Sequence, residues 1–234
     1  NNQTFIEILN YCKNSKNINL KCLSVHIGSQ ILDYRPYKKM LEVISKILDK
    51  INYKFEFIDL GGGMGIPYDK LRKKLNFKKY NLAIKKFLKI NSSTIIFEPG
   101  RSIIGNTGIL VSKIIYIKKN TQKDFIILDA AMNDLIRPAL YGAFHRILPA
   151  KKKNKKIKKK YEFVGPICES TDKFSSIKYS QELNEKDLVV IHDVGAYGMS
   201  LGSNYNLRLK PVELLIKNSK ITVIRKRQTY KDII

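Results

Sequence analysis

The sequence predicts two architectures in succession, an α/β segment over residues 1–105 and an all-β segment over residues 106–234. In the first segment, apolar residues recur at helical spacing and at strand spacing in turn. In the second segment, short apolar and β-branched runs follow one another with brief connections. A third observation is that each strand of the first segment runs into a loop of glycine and polar residues.

The first segment alternates helix and strand three times. The predicted elements are a helix at 4–18, a strand at 20–27, a helix at 35–52, a strand at 55–60, a helix at 77–90 and a strand at 93–98. A (β/α)₈ barrel presents its active site in this way, in loops at the C-terminal ends of its strands. Three strands cannot close a barrel, so we expect only the last strands, the C-terminal part, of a (β/α)₈ barrel.

From residue 106 onward we expect a β-sandwich or β-barrel domain. Its predicted strands lie at 108–118, 125–129, 161–164, 188–192, 212–216 and 221–225. The lysine-rich stretch 151–160 separates two of these strands, and its charge predicts a solvated, mobile loop.

The chain is strongly basic, with 44 Lys and Arg against 20 Asp and Glu and a formal net charge of +24. Such a charge is typical of nucleic-acid-binding proteins. The lysines are scattered rather than gathered in one stripe with aromatic residues, however, and we attribute the charge to compositional drift. We expect weak, non-specific attachment to nucleic acid and no specific nucleic-acid partner.

The cysteines and the hydropathy pattern narrow the class of protein further. Cys12, Cys22 and Cys168 share no CxxC spacing, so we expect no metal site. An odd number of thiols without a secretion signal predicts a cytoplasmic protein. No run of about 18 apolar residues occurs, so we expect no membrane span.

Three loops at predicted strand ends carry groups suited to chemistry. Residues 26–29, His-Ile-Gly-Ser, offer an imidazole that can stack on a flat ring and a hydroxyl that can bind phosphate, although a lone histidine there is more often structural. The glycines of residues 59–65 let backbone N–H groups approach an anion, or simply make the loop flexible. They do not satisfy the dinucleotide-binding fingerprint. Residues 98–101, Glu-Pro-Gly-Arg, offer a partner for a cationic ring nitrogen and a carboxylate clamp, or else a surface ion pair.

The order of these segments, HIGSQ (26–30), DLGGGMGIPY (59–68) and EPGRSI (98–103), resembles the fold-type III pyridoxal-phosphate decarboxylases. Five later segments are similar to the diaminopimelate decarboxylase family, at 129–141, 165–172, 193–198, 203–206 and 227–234. The resemblance covers nearly the whole chain. It implies part of an alanine-racemase-like (β/α)₈ barrel followed by a β-sandwich or β-barrel domain.

The resemblance implies pyridoxal 5′-phosphate as the cofactor. His26 would pack on the cofactor ring, Glu98 would pair with the ring nitrogen, and Tyr197 would lie beside the cofactor and the substrate. The residues implied to bind the cofactor phosphate are Ser29, Gly63, Gly100 and Arg101, and Gly62 is a further implied cofactor-binding residue.

The resemblance also implies the roles of substrate-binding and catalytic residues. The carboxylate at the non-reacting end of the substrate would be bound by Arg101, Arg137 and Tyr141. Glu169 would pair with the ammonium group there, and with Ser170 it would set the specificity. Cys168, which with His26 forms the implied catalytic pair, would protonate the α-carbon after CO₂ leaves. Family members are homodimers, and the Cys-Glu-Ser segment would reach into the partner's site.

The implied function is decarboxylation of meso-2,6-diaminopimelate to L-lysine and CO₂, a step of lysine biosynthesis. A decarboxylase of carboxynorspermidine, ornithine or arginine and a non-catalytic regulatory subunit are the alternatives. The family binds its cofactor to a lysine in a Tyr-Ala-x-Lys-Ala-like segment, and this sequence contains no such segment. We therefore interpret the chain as a fragment, as half of a split enzyme that assembles with a separate N-terminal polypeptide, or as an inactive product of decay.

Overall fold

The computed structural model describes residues 2–51, 53–69, 71, 73–151 and 156–234. The chain divides into two compact units, Asn1–Ile103 and Ile104–Ile234. Among the residues so described, no helix is long and apolar enough to cross a membrane. Within the same ranges, no three His, Cys, Asp or Glu side chains are grouped as a metal site would require.

The first unit is an α/β structure whose three strands are parallel. Its elements in chain order are α1 (Asn2–Asn14), β1 (Cys22–Ser24), α2 (Tyr34–Ile51), β2 (Phe57–Asp59), α3 (Phe77–Leu88), β3 (Thr94–Ile96) and α4 (Arg101–Ile104). The sheet order is β1-β2-β3, with Leu23 paired to Ile58 and Ile58 to Ile95. The predicted alternation of helix and strand is confirmed, and each strand is shorter than its hydrophobic run.

One apolar cluster holds the first unit together. Its buried members come from all three long helices, from β2 and from the loops that follow, and they include Tyr37, Leu41, Ile58, Leu60 and Phe87. Helix α3 starts at a polar cap, Asn76, whose side chain accepts the Lys79 N–H over 3.0 Å.

The second unit is built on β-strands, as predicted. Its elements are β4 (Ile109–Lys118), β5 (Asp124–Leu128), α5 (Arg137–Tyr141), β6 (Ile147–Pro149), β7 (Lys156–Val164), β8 (Lys173–Gln181), β9 (Leu188–His192), β10 (Glu213–Lys217) and β11 (Lys220–Arg225). Six strands form a mixed sheet in the order β6-β9-β4-β5-β7-β8, and β10 and β11 form a separate hairpin.

Strand β4 links the two halves of the six-stranded sheet. Its first half pairs antiparallel with β9, from Ile109 opposite His192, and its second half pairs antiparallel with β5, from Ile114 opposite Leu128. Alternate residues of β5 point into the core, which is the two-residue period of a strand with one buried face. The sheet thereby buries one continuous apolar cluster.

The prediction of a solvated loop at 151–160 is partly wrong. Residues 152–155 lie outside the described residues, but β7 begins at Lys156 and pairs with β8 over its whole length. Only residues 161–164 of β7 also pair with β5, so the lysine-rich part is a two-stranded ribbon. Backbone hydrogen bonds to a neighbouring strand form such a ribbon, and charge alone therefore does not exclude a strand.

Three elements of the second unit were not predicted: β6, β8 and α5. Strand β8 contains the polar run Phe-Ser-Ser-Ile-Lys-Tyr-Ser, in which few apolar residues mark the strand. Helix α5 has only five residues and β6 only three. Elements this short carry too little periodicity to be recognised from sequence.

Candidate active site

In the first unit, the loops that follow β1 and β2 are hydrogen-bonded to each other. The Ile31 N–H donates to the Gly63 carbonyl over 2.9 Å, and the Gly65 N–H donates to the Ile31 carbonyl over 3.0 Å. The side chain of Gln30 donates to the Ile66 carbonyl over 2.5 Å. These bonds fix the glycine loop, residues 61–65, against the loop that follows β1.

Two glycines of this loop lie where no side chain fits. A Cβ atom on Gly62 would lie 2.2 Å from the Glu98 carbonyl oxygen, and one on Gly63 would lie 2.1 Å from the Gly28 carbonyl oxygen. Gly63 also has a φ of 81°, which residues with a side chain rarely adopt. The close backbone approach explains why the sequence places glycines in succession here.

His26 and Glu98 lie at this same loop, each two residues beyond the end of a strand. A Cβ atom on Gly61 would lie 2.7 Å from His26 Nδ1, so the imidazole lies against the loop backbone. The Glu98 N–H donates to the Gly61 carbonyl over 3.0 Å. Both side chains are exposed. The ends of β1, β2 and β3 thus place a ring and a carboxylate next to the glycines.

Arg101, the first residue of α4, links the three loops. Its Nη2 donates to Ser29 Oγ over 3.2 Å, and its Nη1 donates to the Tyr68 hydroxyl over 2.6 Å. Gly100 precedes it in the turn, where the Ile103 N–H donates to the Gly100 carbonyl over 3.1 Å. A guanidinium and a hydroxyl side by side can both donate to one oxyanion.

Two buried side chains support the glycine loop from below. Asp59 Oδ1 accepts the Gly61 N–H over 2.8 Å, and Asp59 Oδ2 accepts the Ser24 hydroxyl over 3.1 Å. The Tyr37 hydroxyl donates to the Gly62 carbonyl over 3.3 Å. Burial raises the pKa of Tyr37 to about 12, so it remains a phenol that can donate this bond.

This cluster fits the phosphate and the ring of the implied cofactor. The glycines admit no Cβ, the hydroxyl of Ser29 and the guanidinium of Arg101 are in contact, and the His26 ring lies on the loop. A phosphate group binds where it can come close to the backbone and meet several hydrogen-bond donors. Glu98 places a carboxylate at the same loop.

In the second unit, Asp172 anchors the loop that carries Cys168, Glu169 and Ser170. This carboxylate is 3% exposed, and it accepts the Met132 N–H over 2.7 Å and the Ile167 N–H over 2.9 Å. Burial raises the pKa of Asp172. The N–H groups of Ile167 and Met132 lower the pKa, but by less than burial raises it. The carboxylate therefore ties the Cys-Glu-Ser loop to the loop after β5.

Glu169 is held by its own neighbours. Its Oε1 accepts the Thr171 N–H over 3.3 Å, and the hydroxyls of Thr171 and Ser170 over 3.2 Å each. The Thr171 backbone N–H lowers the pKa of Glu169, with both hydroxyls adding to the effect. The side chain is therefore a carboxylate at neutral pH, ready to pair with a cation.

A pocket of about 570 Å³ lies beside Glu169. It is lined by Met132, Asn133, Ile136, Glu169, Thr171, Ser203 and Tyr205. The Ser203 N–H donates to the Asn133 carbonyl over 3.0 Å, which joins the loop after β5 to the segment 203–206. Three of the sequence segments singled out above thus meet at one pocket within the second unit.

The other predicted residues of the second unit lie around this framework. Arg137 begins α5 and is buried, whereas Tyr141 ends α5 and is exposed. Cys168 is an exposed free thiol. Tyr197 has a φ of 60°, an uncommon conformation for a residue with a side chain. None of these four residues lines the pocket beside Glu169.

Several residues that shape the two clusters were not singled out as site residues. Asp59 and Tyr68 begin and end the glycine segment, and Asp172 ends the segment that carries Glu169. Their positions at the ends of those segments could have identified them as site residues. Tyr37, on α2, had no such signal, because its role depends on the packing of α2 under the loop.

Comparisons with known proteins identify the class. Residues 17–195 match the family described as pyridoxal-dependent decarboxylase, C-terminal sheet domain. The chain belongs to the pyridoxal-dependent decarboxylase family. It is 37% identical over 227 residues to the diaminopimelate decarboxylase of Aquifex aeolicus (strain VF5), covering 96% of this chain and 54% of that protein. It is 37% identical over 231 residues to the diaminopimelate decarboxylase of Helicobacter pylori, and the match covers 97% of this chain and 57% of that protein.

Solved structures give the same answer. The Helicobacter pylori diaminopimelate decarboxylase complexed with L-lysine aligns with a TM-score of 0.89 at 36% identity, over 99% of this chain and 58% of that one. The diaminopimelate decarboxylase of Methanocaldococcus jannaschii aligns with a TM-score of 0.90 at 33% identity, over 97% of this chain and 54% of that one. The chain thus spans about half the length of the relatives it matches.

Proposed function

We propose that this chain supplies the cofactor-phosphate and substrate contacts for the decarboxylation of meso-2,6-diaminopimelate to L-lysine and CO₂. The observation that carries the proposal is the contact of Arg101 with Ser29 beside glycines that admit no side chain. The relatives from Aquifex aeolicus and Helicobacter pylori are named diaminopimelate decarboxylases. Pyridoxal phosphate, when bound, supplies the electron-withdrawing ring that takes up the electron pair left as CO₂ departs.

On the cofactor side, residues of the first unit bind the phosphate group and the ring. Ser29, Gly62, Gly63, Gly100 and Arg101 bind the phosphate group. His26 packs on the ring, and Glu98 keeps the ring nitrogen protonated. A carboxylate beside a cationic nitrogen stabilises the charged form of both groups.

On the substrate side, opposite charges recognise a molecule with two amino-acid ends. Glu169 pairs with the ammonium group at the non-reacting end, and Ser170 keeps Glu169 oriented through its hydroxyl. Arg101, Arg137 and Tyr141 bind the carboxylate at that end. A site built to pair charges rejects substrates that would leave one of them unpaired.

Cys168 and Tyr197 act nearest the reacting carbon. The Cys168 thiol donates the proton that replaces CO₂ on the α-carbon. Tyr197 lies beside cofactor and substrate.

The complete enzyme in this proposal is larger than the chain. The first unit is the end of a (β/α)₈ barrel, and the second is its β-sandwich or β-barrel domain. The active form is a cytoplasmic homodimer with shared sites. A further polypeptide region, on the same chain or on a separate N-terminal polypeptide, brings the lysine that binds the cofactor covalently.

The test is a substrate panel with a fused enzyme. The chain is joined behind the region of the Aquifex aeolicus relative that the match leaves uncovered, and is assayed with pyridoxal phosphate on diaminopimelate, ornithine, arginine and carboxynorspermidine. We expect lysine from diaminopimelate, and none from the unfused chain. Putrescine from ornithine or agmatine from arginine, without lysine, would overturn the assigned substrate.

A matched pair of variants tests the role of Glu169 in the same assay. Glu169→Gln removes the charge that pairs with the ammonium group, and KM for diaminopimelate rises by roughly 10–100-fold, as for loss of a charged hydrogen bond. Glu42→Gln removes an exposed carboxylate on α2 that pairs with Lys38, and KM does not change.

A further inference from the structure

The side chain of His145 is fully buried in the second unit, although no role has been given to it so far. It lies eight residues after Arg137 and two residues before β6. Its Nε2 lies 2.8 Å from Arg137 Nη1, and its Nδ1 lies 2.9 Å from the His192 carbonyl oxygen. Both nitrogens of the imidazole are therefore engaged.

The two partners determine which nitrogen carries the proton. A guanidinium can only donate, so Nε2 must accept from Arg137. A carbonyl oxygen can only accept, so Nδ1 must carry a hydrogen and donate to His192. The geometry is satisfied only by the neutral imidazole with its proton on Nδ1.

The backbone around His145 is fixed by strand pairing. The His192 N–H donates to the Arg146 carbonyl over 2.9 Å, and Ile147 pairs with Ile191 on β9. The carbonyl that receives the Nδ1 proton therefore belongs to the strand pair that also positions the backbone of His145. The imidazole is a rigid link from the β6–β9 pair to the start of α5.

We propose that His145 is a positioning residue that holds the guanidinium of Arg137 in place for the substrate carboxylate. The inference rests on the proposed function, because that function assigns Arg137 to the carboxylate. Arg137 is only 5% exposed, and the bond to His145 occupies one of the five N–H groups of its guanidinium. A fixed guanidinium loses little freedom when it binds a carboxylate through two parallel bonds.

Two amide substitutions separate the two bonds of His145. Imidazole Nδ1 lies one bond beyond Cγ and Nε2 lies two bonds beyond it. His145→Asn keeps an amide N–H at the first distance, for the His192 carbonyl, and loses the acceptor for Arg137. His145→Gln keeps an amide oxygen at the second distance, for Arg137. The two variants are equally polar and differ in which bond survives.

In the fused enzyme, His145→Asn is expected to raise KM for diaminopimelate by roughly 10–100-fold with kcat within about threefold, the size expected for one charge-assisted hydrogen bond. His145→Gln is expected to keep KM within about threefold of the parent. Equal KM values in the two variants would overturn the proposal, because a merely structural role would not distinguish them.

A second measurement needs no activity. In the ¹⁵N-labelled full chain, which has three histidines, nitrogen shifts should show His145 neutral with its proton on Nδ1. The Arg137 Nη1 protons should exchange slowly in the parent and in His145→Gln, and rapidly in His145→Asn. A proton on Nε2, or fast exchange in the parent, would overturn the proposal. If the fused enzyme forms no lysine, the proposed function fails, and this measurement alone decides whether His145 holds Arg137.

Discussion

Gly62 is a residue of the first unit at which an added Cβ atom would meet neighbouring backbone. In Gly62→Ala, the new Cβ would meet the Glu98 carbonyl at 2.2 Å. We expect a loss of about 3 kcal/mol in the free energy of unfolding, the upper range for overpacking. Gly142→Ala is the control, because Gly142 has a φ of 58° but no atom within 4 Å of its Cβ position. It should cost only the left-handed backbone strain, about 1–2 kcal/mol.

Urea denaturation of the two variants measures both effects. A Gly62→Ala variant that is no less stable than Gly142→Ala would contradict this expectation. That result would mean that the glycine loop and the Glu98 backbone separate easily, and it would remove the reason for a glycine at the proposed phosphate contact.

Asp172 gives a prediction about pH. Because burial raises its pKa above the unfolded value of 3.8, the folded state holds the proton more tightly than the unfolded state does. The contribution of Asp172 is therefore most favourable below pH 3.8 and declines as pH rises through the folded pKa. The difference in unfolding free energy between the parent and Asp172→Asn, measured from pH 3.5 to pH 7, should shift in favour of the variant as pH rises. The opposite slope would contradict the assigned cause of the shift.

At the scale of elements, β7 combines two parts of different stability. Residues 161–164 lie between β5 and β8, whereas the lysine-rich part pairs with β8 alone. Phe163 is fully buried and Lys160 is exposed. We expect Phe163→Ala to cost about 3–5 kcal/mol and Lys160→Ala less than about 0.5 kcal/mol. Similar costs in urea denaturation would show that the ribbon is part of the core.

The elements also show what could be predicted from the sequence. The long amphipathic helix α2 was predicted at 35–52 and lies at Tyr34–Ile51, because its periodicity extends over five turns. The glycine loop was predicted because close backbone approach restricts the residue type. Strand β8 and the start of β7 were not predicted from the sequence. Pairing with a neighbouring strand, rather than local composition, determines that these residues form strands.

The candidate site was predictable to a similar extent and for similar reasons. Residues that contact the proposed ligands stand in short segments whose order is informative, from His26 to Tyr197. Residues that position them were missed, because their partners are distant in sequence. His145 depends on a carbonyl 47 residues away, and Asp172 on an N–H group 40 residues away. Only the folded chain brings such pairs together.

At the scale of the whole molecule, the net charge of +24 predicts a dependence of stability on salt. Like charges repel in the compact state, and salt screens that repulsion. Raising NaCl from 20 to 300 mM should stabilise the chain by about 1 kcal/mol, which corresponds to an increase in Tm of about 2–4 °C. An unchanged or lower Tm in a thermal melt would show that local ion pairs outweigh the overall repulsion.

In the proposed function, both loop clusters of this chain serve one decarboxylation. The most direct measurement is the rate of L-lysine formation from meso-diaminopimelate by the fused enzyme, in the parent and in Arg101→Lys and Glu169→Gln. We expect lysine from the parent and a loss of at least about tenfold in kcat/KM in each variant, because Glu169→Gln removes a charge and Arg101→Lys replaces the forked guanidinium with a single ammonium group. Unchanged lysine formation in both variants, or no lysine from the parent, would contradict the proposed function.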